Sequence, residues 1–355
     1  MRFLHTSDLH LSSPLTAKLS PEQADVRKKE IFRTFVRMCE EAKIQNCTAI
    51  VIAGDLFDSV KVRLKDALSF TNTVKSYPEI TFLYLGGNHE KNGLIKTGIS
   101  IPDNLYIFGD EWTYLELSGV TFAGRSRLSP DMFSDFKTDA SRKTVVVLHG
   151  ALTDIARGEE EIGIYSCADL GIDYMALGHY HKYTTKKIDS RGVAVYSGTP
   201  EGRGFDEAHE CGFVLVDIEK EVHYEFLPFS SRRIWDIDFD ISGFDSFFNV
   251  ECKLLDTLSG LSSNDLVRVR LVGKRNHGFV SDKKGAESRI GFRFFYFEII
   301  DQSREYTDTN EYKNDKTLKG EFIRLVLGSE ELSDEEKDRT VRCGISALLG
   351  ENFEF

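Results

Sequence analysis

Five short apolar runs, each followed at once by side chains that bind metals, constrain the fold of this chain more than any other feature. Ile50 to Ala53 leads to Gly54-Asp55, and Phe3 to Ser7 leads to Asp8 and His10. A buried apolar run that stops abruptly is typical of a strand, and the carboxyl ends of parallel strands lie along one edge of a sheet. We therefore expect these side chains to converge. The other three runs lead to Asn88 and His89, to His149, and to His179 and His181.

The residue types at these strand ends predict a site for two divalent cations. Such ions prefer carboxylate, amide and imidazole ligands, and a shared carboxylate holds two ions about 3.5–4 Å apart. Asp55 is the candidate for the shared ligand. Any one of the histidines taken alone fits a core or surface position, but the set does not. The predicted ligands are Asp8, His10, Asp55 and His181 for one ion, and Asp55, Asn88, His149 and His179 for the other.

Length and composition narrow the class of protein. At 355 residues and 40.3 kDa the chain exceeds the usual size of one hydrophobic core, which predicts two domains. No run of 18 apolar residues is present, and the N-terminus becomes polar at Thr6. The six cysteines form no CxxC pair, which argues against a zinc knuckle or a disulfide framework. These features favour a cytoplasmic protein with reduced cysteines and no membrane segment.

The net charge of −12 is unfavourable for a protein that coats nucleic acid, because phosphate binding requires a basic surface. Residues 301–355 carry half of this net charge, so the sequence is still compatible with a local basic groove elsewhere in the chain.

Periodicity and turn residues predict the order of elements. Ser20-Pro21 with Gln23 forms a capping box that begins a helix, whereas the chain after His181 reads as hairpins. The composition changes near Ser230 to Arg233, which predicts a boundary between domains of residues 1–232 and 233–355. In the second domain we expect strands at 234–240, 265–272 and 291–300, and helices near 248–259, 316–326 and 333–348.

Five motifs, taken as a set, resemble those of the calcineurin-like metallophosphoesterases. They are Asp8-x-His10, Gly54 to Asp58, Gly87 to Glu90, Leu148 to Gly150, and Gly178-His179-x-His181. Within that superfamily, Gly54 to Asp58 and Tyr196 to Pro200 resemble the SbcD-type DNA repair exonucleases, and the order of the second domain is similar to their YhaO-like relatives. The resemblance implies a four-layer αββα sandwich of the α/β class with a smaller α+β capping domain, two Mn²⁺ ions, and phosphodiester hydrolysis.

In this scheme His89 is not a ligand, and we predict that it protonates the leaving oxygen. General acid catalysis of this kind contributes ~100- to 10,000-fold. The alternative is a third ligand or a packing residue. The chain departs from the family at Glu90, where an Asp is usual, and at Asp58, where archaeal and eukaryotic repair nucleases carry a histidine linked to their exonuclease step, although the bacterial SbcD type also has Asp there. The polarity of an exonuclease step therefore stays open, as does the choice between exonuclease and endonuclease activity.

Predictions about substrate contacts rest on weaker patterns. Lys182 and Arg203 follow the metal-binding motifs and would contact a substrate phosphate, although solvated loop cations have the same pattern. The aromatic run from Phe292 to Phe297 fits base stacking, but its continuity favours a buried strand.

Three functions are compatible with this sequence. The first is a DNA nuclease with an SbcC-like coiled-coil ATPase partner, either as a monomer or as a homodimer. The second is a phosphodiesterase or phosphatase for a small or protein-borne phosphate, which the acidic charge favours. The third is a scaffold without catalysis, which is disfavoured because every predicted ligand position is filled.

Overall fold

Two six-stranded sheets form the first part of the chain. The computed structural model describes residues 1–11, 13, 15, 18–58, 61–87, 93–139, 141–276, 279–306 and 315–349. The chain divides into one unit of Met1–Trp235 and a second of Asp236–Phe355.

The first sheet contains the three strands that lead to Asp8, Asp55 and Gly87. Its central strands β1, β2, β3 and β4 are parallel, and β13 and β14 extend it as an antiparallel edge, in the order β14-β13-β1-β2-β3-β4. The strands are β1 (Arg2–Thr6), β2 (Ala49–Ala53), β3 (Thr81–Leu85), β4 (Leu105–Ile107), β13 (Gly212–Ile218) and β14 (Val222–Pro228).

The second sheet contains the strands that lead to His149 and His179. Its order is β11-β12-β10-β7-β6-β5, with parallel pairing from β12 to β6 and antiparallel edges. The strands are β5 (Thr113–Leu117), β6 (Val120–Gly124), β7 (Lys143–His149), β10 (Tyr174–Gly178), β11 (Thr184–Lys187) and β12 (Val193–Tyr196), and a separate pair is β8 (Ala151–Thr153) with β9 (Glu161–Gly163).

The two sheets pack face to face, and helices cover their outer faces. Val51 of β2 and Val147 of β7 belong to one buried cluster with side chains from both sheets. A second cluster joins the outer face of the first sheet to α1 (Pro21–Ile44) and α2 (Leu64–Lys75). Two short helical segments cover the other outer face, a 3-10 helix (Met132–Asp135) and α4 (Ile164–Cys167). Elsewhere, α3 (Gly93–Lys96) follows β3, and a 3-10 helix (Phe205–Glu207) precedes β13. The predicted α/β sandwich is therefore confirmed.

Helix α1 begins where the sequence predicts it. The Ser20 hydroxyl accepts a hydrogen bond from the backbone N–H of Gln23, and the Gln23 side chain accepts one from the N–H of Ser20. This capping box satisfies two N–H groups that the first turn would otherwise leave open. The buried face of α1, which includes Phe35 and Cys39, packs on the first sheet.

The second unit is a small α+β assembly. Its three-stranded sheet has the order β15-β16-β18, and β17 pairs with β19. One prediction was wrong here. The strand expected at 291–300 begins at Tyr296, because the helix Lys283–Gly291 reaches residue 291 and a turn follows it, and Phe292 is 83% exposed rather than buried. The elements are β15 (Ile234–Asp240), α5 (Phe247–Thr257), β16 (Leu266–Val272), β17 (Lys274–Asn276), α6 (Lys283–Gly291), β18 (Tyr296–Asp301), β19 (Arg304–Tyr306), α7 (Leu318–Gly328) and α8 (Asp334–Leu349).

Across the described part of the chain, no helix combines the length and the apolar composition that a membrane span requires.

Candidate metal centre

The backbone turns sharply where the strands reach the predicted site. Asp8, His10 and Asp55 have φ values of +52°, +44° and +50°, and His179 has +104°. Residues other than glycine rarely adopt a positive φ, although Asp and His do so more often than most. Two hydrogen bonds hold these turns, from the N–H of Asp8 to the carbonyl of Gly54 (3.1 Å) and from the N–H of His10 to the carbonyl of Asp55 (3.0 Å). The strained turns direct the side chains out of the sheet edge.

Asp8, His10 and His181 form the first group of converging ligand atoms. One such atom from each residue lies within 4.8 Å of the others. The Nε2 atoms of His10 and His181 are 3.3 Å apart, and Nε2 of His181 lies 3.7 Å from Oδ1 of Asp8. Oδ2 of Asp55 is 3.9 Å from Nε2 of His10. The structure thus brings together all four ligands that the sequence predicts for one ion.

Asp8, Asp55 and His149 form the second group. Nε2 of His149 lies 3.4 Å from Oδ2 of Asp55, so Asp55 approaches both groups as a shared ligand should. His179 lies beside this group. Its ring centroid is 5.7 Å from that of His149, and its backbone N–H donates to both carboxylate oxygens of Asp8 at 3.2 and 3.1 Å.

Each of three imidazoles is oriented through its Nδ1 atom. Nδ1 of His181 donates to Oε1 of Glu207 at 2.7 Å, and Nδ1 of His10 lies 3.0 Å from Oδ1 of Asp58. Nδ1 of His149 donates to the carbonyl of Ala53 at 2.9 Å, across the interface between the sheets. A proton on Nδ1 leaves the lone pair on Nε2, which is the tautomer that a metal ligand needs.

Arg203 joins the two supporting carboxylates. Its Nη2 atom donates to Oε1 of Glu207 at 2.9 Å, and its Nη1 atom lies 3.6 Å from Oδ1 of Asp58. The Nη1 atom also donates to the Ser13 hydroxyl at 3.2 Å, which in turn donates to Asp58 at 3.0 Å. The Arg203 side chain is only 11% exposed. Its guanidinium group therefore contacts the carboxylates that orient His10 and His181.

The donor set fits divalent cations. The two Nε2 lone pairs of His10 and His181 face one another at 3.3 Å, a spacing that suits two nitrogens on one ion at about 2.1 Å each. Nε2 of His149 is buried and makes no hydrogen bond with the described residues, although a carboxylate lies 3.4 Å away. Imidazole lone pairs and carboxylate oxygens that face one another in a buried pocket are unfavourable unless a positive charge lies between them. Asp8, His10, Asp55, His149 and His181 could hold such ions.

Neighbouring charges of opposite sign shift the pKa values of His149 and Glu207. Burial opposes a charge on His149, but the carboxylates of Asp55 and Asp8 outweigh it and raise its pKa to about 9. Burial opposes ionisation of Glu207 as well, yet His181 and Arg203 lower its pKa to about 2. The pocket therefore stabilises positive charge between the Asp carboxylates and negative charge at Glu207.

Two glycines allow the backbones to approach at the site. A Cβ atom on Gly178 would lie 2.0 Å from the carbonyl oxygen of Ala53 and 2.7 Å from Nδ1 of His149. A Cβ atom on Gly87 would lie 2.1 Å from Oδ1 of Asp55. The glycines in the Gly-His and Gly-Asn motifs therefore make room for the ligands beside them.

The remaining predicted residues have different outcomes. Asn88, His89 and Glu90 lie outside the described residues. Lys182 is exposed, whereas Arg203 is engaged by Glu207 and Asp58, and the contact of either residue with a substrate stays a prediction. Sequence reasoning missed Glu207. It stands 26 residues after His181, and no spacing or motif marks it as a partner of that histidine.

Comparison with known families decides the class of this site. The sequence profile described as calcineurin-like phosphoesterase matches residues 1–183. The chain belongs to this family. The family uses a site with two metal ions, so this phosphoesterase is by class a metal-dependent hydrolase, and the predicted family is confirmed.

Individual relatives are more distant. The phosphoesterase is 28% identical over 245 residues to the uncharacterized metallophosphoesterase YhaO of Bacillus subtilis, covering 64% of this chain and 60% of YhaO. It is 24% identical over 246 residues to the DNA double-strand break repair protein Mre11 of Methanosarcina acetivorans, covering 62% of this chain and 37% of Mre11. The chain thus spans less than two thirds of the length of these relatives. A solved structure described as a novel archaeal phosphodiesterase is 14% identical, with a TM-score of 0.35, over 64% of this chain and 100% of the other.

Proposed function

We propose that this phosphoesterase is a Mn²⁺-dependent DNA nuclease that acts in DNA repair or processing, with exonuclease activity, endonuclease activity or both. The observation that carries the proposal is the convergence of Asp8, His10, Asp55, His149 and His181 into two groups that share a carboxylate. The likeness to Mre11, a DNA double-strand break repair protein, supports DNA as the substrate.

The proposed roles follow from the contacts of each residue. Asp8, His10, Asp55 and His181 hold one ion, and Asp55, His149 and His179 with Asn88 hold the other. Two such ions supply an activated water at neutral pH and neutralise the phosphate oxygens as charge develops. Glu207 and Asp58 keep the Nδ1 protons of His181 and His10 in place, so that each Nε2 atom faces the ions. His89, by its position in the Asn-His motif, is proposed to protonate the leaving oxygen.

The wider proposals concern partners. A coiled-coil ATPase of the SbcC type is the proposed partner, and a homodimer is also proposed. The cytoplasmic location stays a prediction.

A phosphodiesterase or phosphatase for a small phosphate is the second candidate. The specific observation in its favour is the net charge of −12, because a long polyanion is repelled by such a chain whereas one phosphate group is repelled much less.

The test is hydrolysis of single-stranded DNA, double-stranded DNA and bis(4-nitrophenyl) phosphate with and without Mn²⁺. We expect Mn²⁺-dependent cleavage of DNA. His89→Ala should reduce kcat on DNA by ~100-fold or more, because the leaving oxygen then departs without a proton donor. His223→Ala, which removes an exposed histidine of β14, is the matched control and should keep wild-type activity.

The two candidates give different results in this assay. Cleavage confined to the small diester would contradict the nuclease proposal and favour the second candidate. DNA cleavage that His89→Ala leaves at the wild-type rate would contradict the role assigned to His89.

A further inference from the structure

A groove of about 510 Å³ between α1 and the start of α2 is lined mainly by basic side chains. Its lining includes five cations and two carboxylates, although the chain as a whole carries a net charge of −12. We refer to it as the basic groove. The cations are Lys28, Lys29 and Arg33 of α1, with Arg63 and Lys65 at the start of α2.

Most of these cations have no ion-pair partner among the residues that the structure describes. Lys29 pairs with Asp25 at 2.6 Å. The other four cations are exposed and make no ion pair within the described part of the chain. Arg27 of the same helix, in contrast, forms ion pairs with Glu30 and Glu201. Four cations of α1 and the start of α2 that make no ion pair with the described residues therefore lie together where the two helices form a groove.

One residue in the wall of the basic groove directly follows a predicted metal ligand in the chain. Leu11 lies in its wall and directly follows His10 in the chain. The N–H of Leu11 donates to the carbonyl of Leu56 at 2.8 Å, and Leu11 pairs with Phe57, the residue before Asp58. The basic groove therefore adjoins the segment that carries His10.

The start of α2 lies at the basic groove. Arg63 is its N-cap residue and makes no side-chain capping hydrogen bond, although the N–H groups of Asp66 and Ala67 donate to the Arg63 carbonyl at 3.0 and 3.1 Å. A helix of 12 residues carries a partial positive charge at this end, which favours phosphate. Asp66 in the same turn offsets part of this charge, but the five cations outnumber the two carboxylates of the basic groove.

We propose that the basic groove binds the phosphodiester backbone of the DNA strand whose scissile bond lies at the metal ligands. This inference rests on the proposed nuclease function. The phosphate backbone supplies most of the affinity for DNA, and each neutralised phosphate adds to the salt dependence of binding. A short local track of cations explains how an acidic chain can hold a polyanion, because charges beyond about 10 Å are largely screened at 0.1 M salt.

The experiment is binding of a fluorescein-labelled, phosphorothioate-linked single-stranded oligonucleotide, which resists cleavage, to the Mn²⁺-loaded protein. Binding is measured by fluorescence anisotropy across a range of salt concentrations. The groove variant combines Lys28→Gln, Arg33→Gln and Lys65→Gln. The control variant combines Lys75→Gln, Lys137→Gln and Lys220→Gln, which removes the same charge from exposed lysines elsewhere in the first unit. Thermal unfolding of both variants shows whether they are folded, and poly-L-glutamate serves as an unrelated polyanion.

We expect the groove variant to bind roughly 10-fold or more weakly, with a salt slope that is smaller by about 2, and the control variant to bind within about 2-fold of wild type. Equal losses in both variants, or a groove variant that binds like wild type, would overturn the assignment while leaving the nuclease function standing. Competition by poly-L-glutamate as effective as by DNA would overturn the choice of nucleic acid. Absence of oligonucleotide binding by the wild type would also overturn the role proposed for the basic groove. Absence of Mn²⁺-dependent DNA cleavage by the wild type would instead overturn the nuclease function itself.

Discussion

Glu207 and Asp58 determine how two imidazoles of the metal centre are held. Each carboxylate contacts an Nδ1 atom, and Arg203 lies between them with its guanidinium group at 2.9 Å from Glu207 and 3.6 Å from Asp58. His149, in contrast, donates to a neutral backbone carbonyl. A carboxylate partner raises the basicity of the imidazole more than a carbonyl does, so the ion at His10 and His181 should be held more firmly than its neighbour.

Glu207→Gln tests this arrangement. The amide cannot carry the charge that stabilises a proton on Nδ1 of His181 and pairs with Arg203. We expect Mn²⁺ affinity at the tighter site to fall about 10- to 100-fold, measured by isothermal titration calorimetry. Glu225→Gln on the exposed face of β14 is the matched control. Two unchanged dissociation constants in Glu207→Gln would show that Glu207 does not orient the ligand.

His5 makes the stability of the first unit sensitive to acid. It is fully buried, its Nδ1 atom lies 2.9 Å from the Tyr174 hydroxyl, and burial lowers its pKa to about 3. Because the folded state binds this proton far less readily than the unfolded state, stability is lost as the pH falls from about 6.5 towards 3.

The double variant His5→Leu with Tyr174→Phe removes the buried imidazole and its partner together. The free energy of unfolding is measured by urea denaturation at pH 7 and at pH 4. We expect its decrease between these two pH values to be about 3 kcal/mol smaller in the double variant than in the wild type. His223→Leu on the exposed strand β14 provides the comparison. An identical acid-side drop in the double variant would contradict the origin assigned to it.

At the scale of elements, the strands that lead to the site could be predicted closely from sequence. The apolar runs predicted to lead to Asp55, Asn88 and His149 correspond to the strands Ala49–Ala53, Thr81–Leu85 and Lys143–His149. Their apolar runs are continuous because parallel strands are buried on both faces, and a glycine or polar residue ends each run. The signal is therefore strongest where the site is built.

The elements that were missed lack such a signal. Helix α6 contains two glycines and few apolar residues, so no periodicity marks it, and the adjacent aromatic run gave a strand that starts too early. Glu207 was missed for a related reason: it lies in a short 3-10 helix that no local pattern links to His181. Contacts between residues far apart in the chain become visible only when the fold is known.

Helix α1 is tied to the loop that carries Arg203 by a buried ion pair. Arg27 is 1% exposed and donates to Glu201 at 2.9 Å and to the carbonyl of Gly202 at 2.6 Å. Removal of one partner leaves the other charge buried, which costs about 3–5 kcal/mol.

Arg27→Met should therefore lower the free energy of unfolding by about 3–5 kcal/mol in a urea titration. Arg33→Met, at an exposed position of the same helix, should change it by less than about 0.5 kcal/mol. A loss of similar size in both variants would indicate that helix packing, rather than the buried charge, is responsible.

At the scale of the whole molecule, the chain is acidic, yet it concentrates charge of both signs near one set of strand ends. Asp8 and Asp55 are almost fully buried and lie within one cluster of ligand atoms. Two buried carboxylates in such proximity destabilise a fold unless cations compensate them. The central claim is therefore that divalent ions complete this fold and its site.

The most direct test is the number of Mn²⁺ ions bound per chain, measured by mass spectrometry of metal after gel filtration. The wild type should retain two ions, and Asp55→Asn, which weakens the ligand shared between the two groups, should retain one or none. Asp103→Asn, at an exposed position, should retain two. A wild type that binds no Mn²⁺, or an Asp55→Asn variant that binds as many ions as the wild type, would contradict the account.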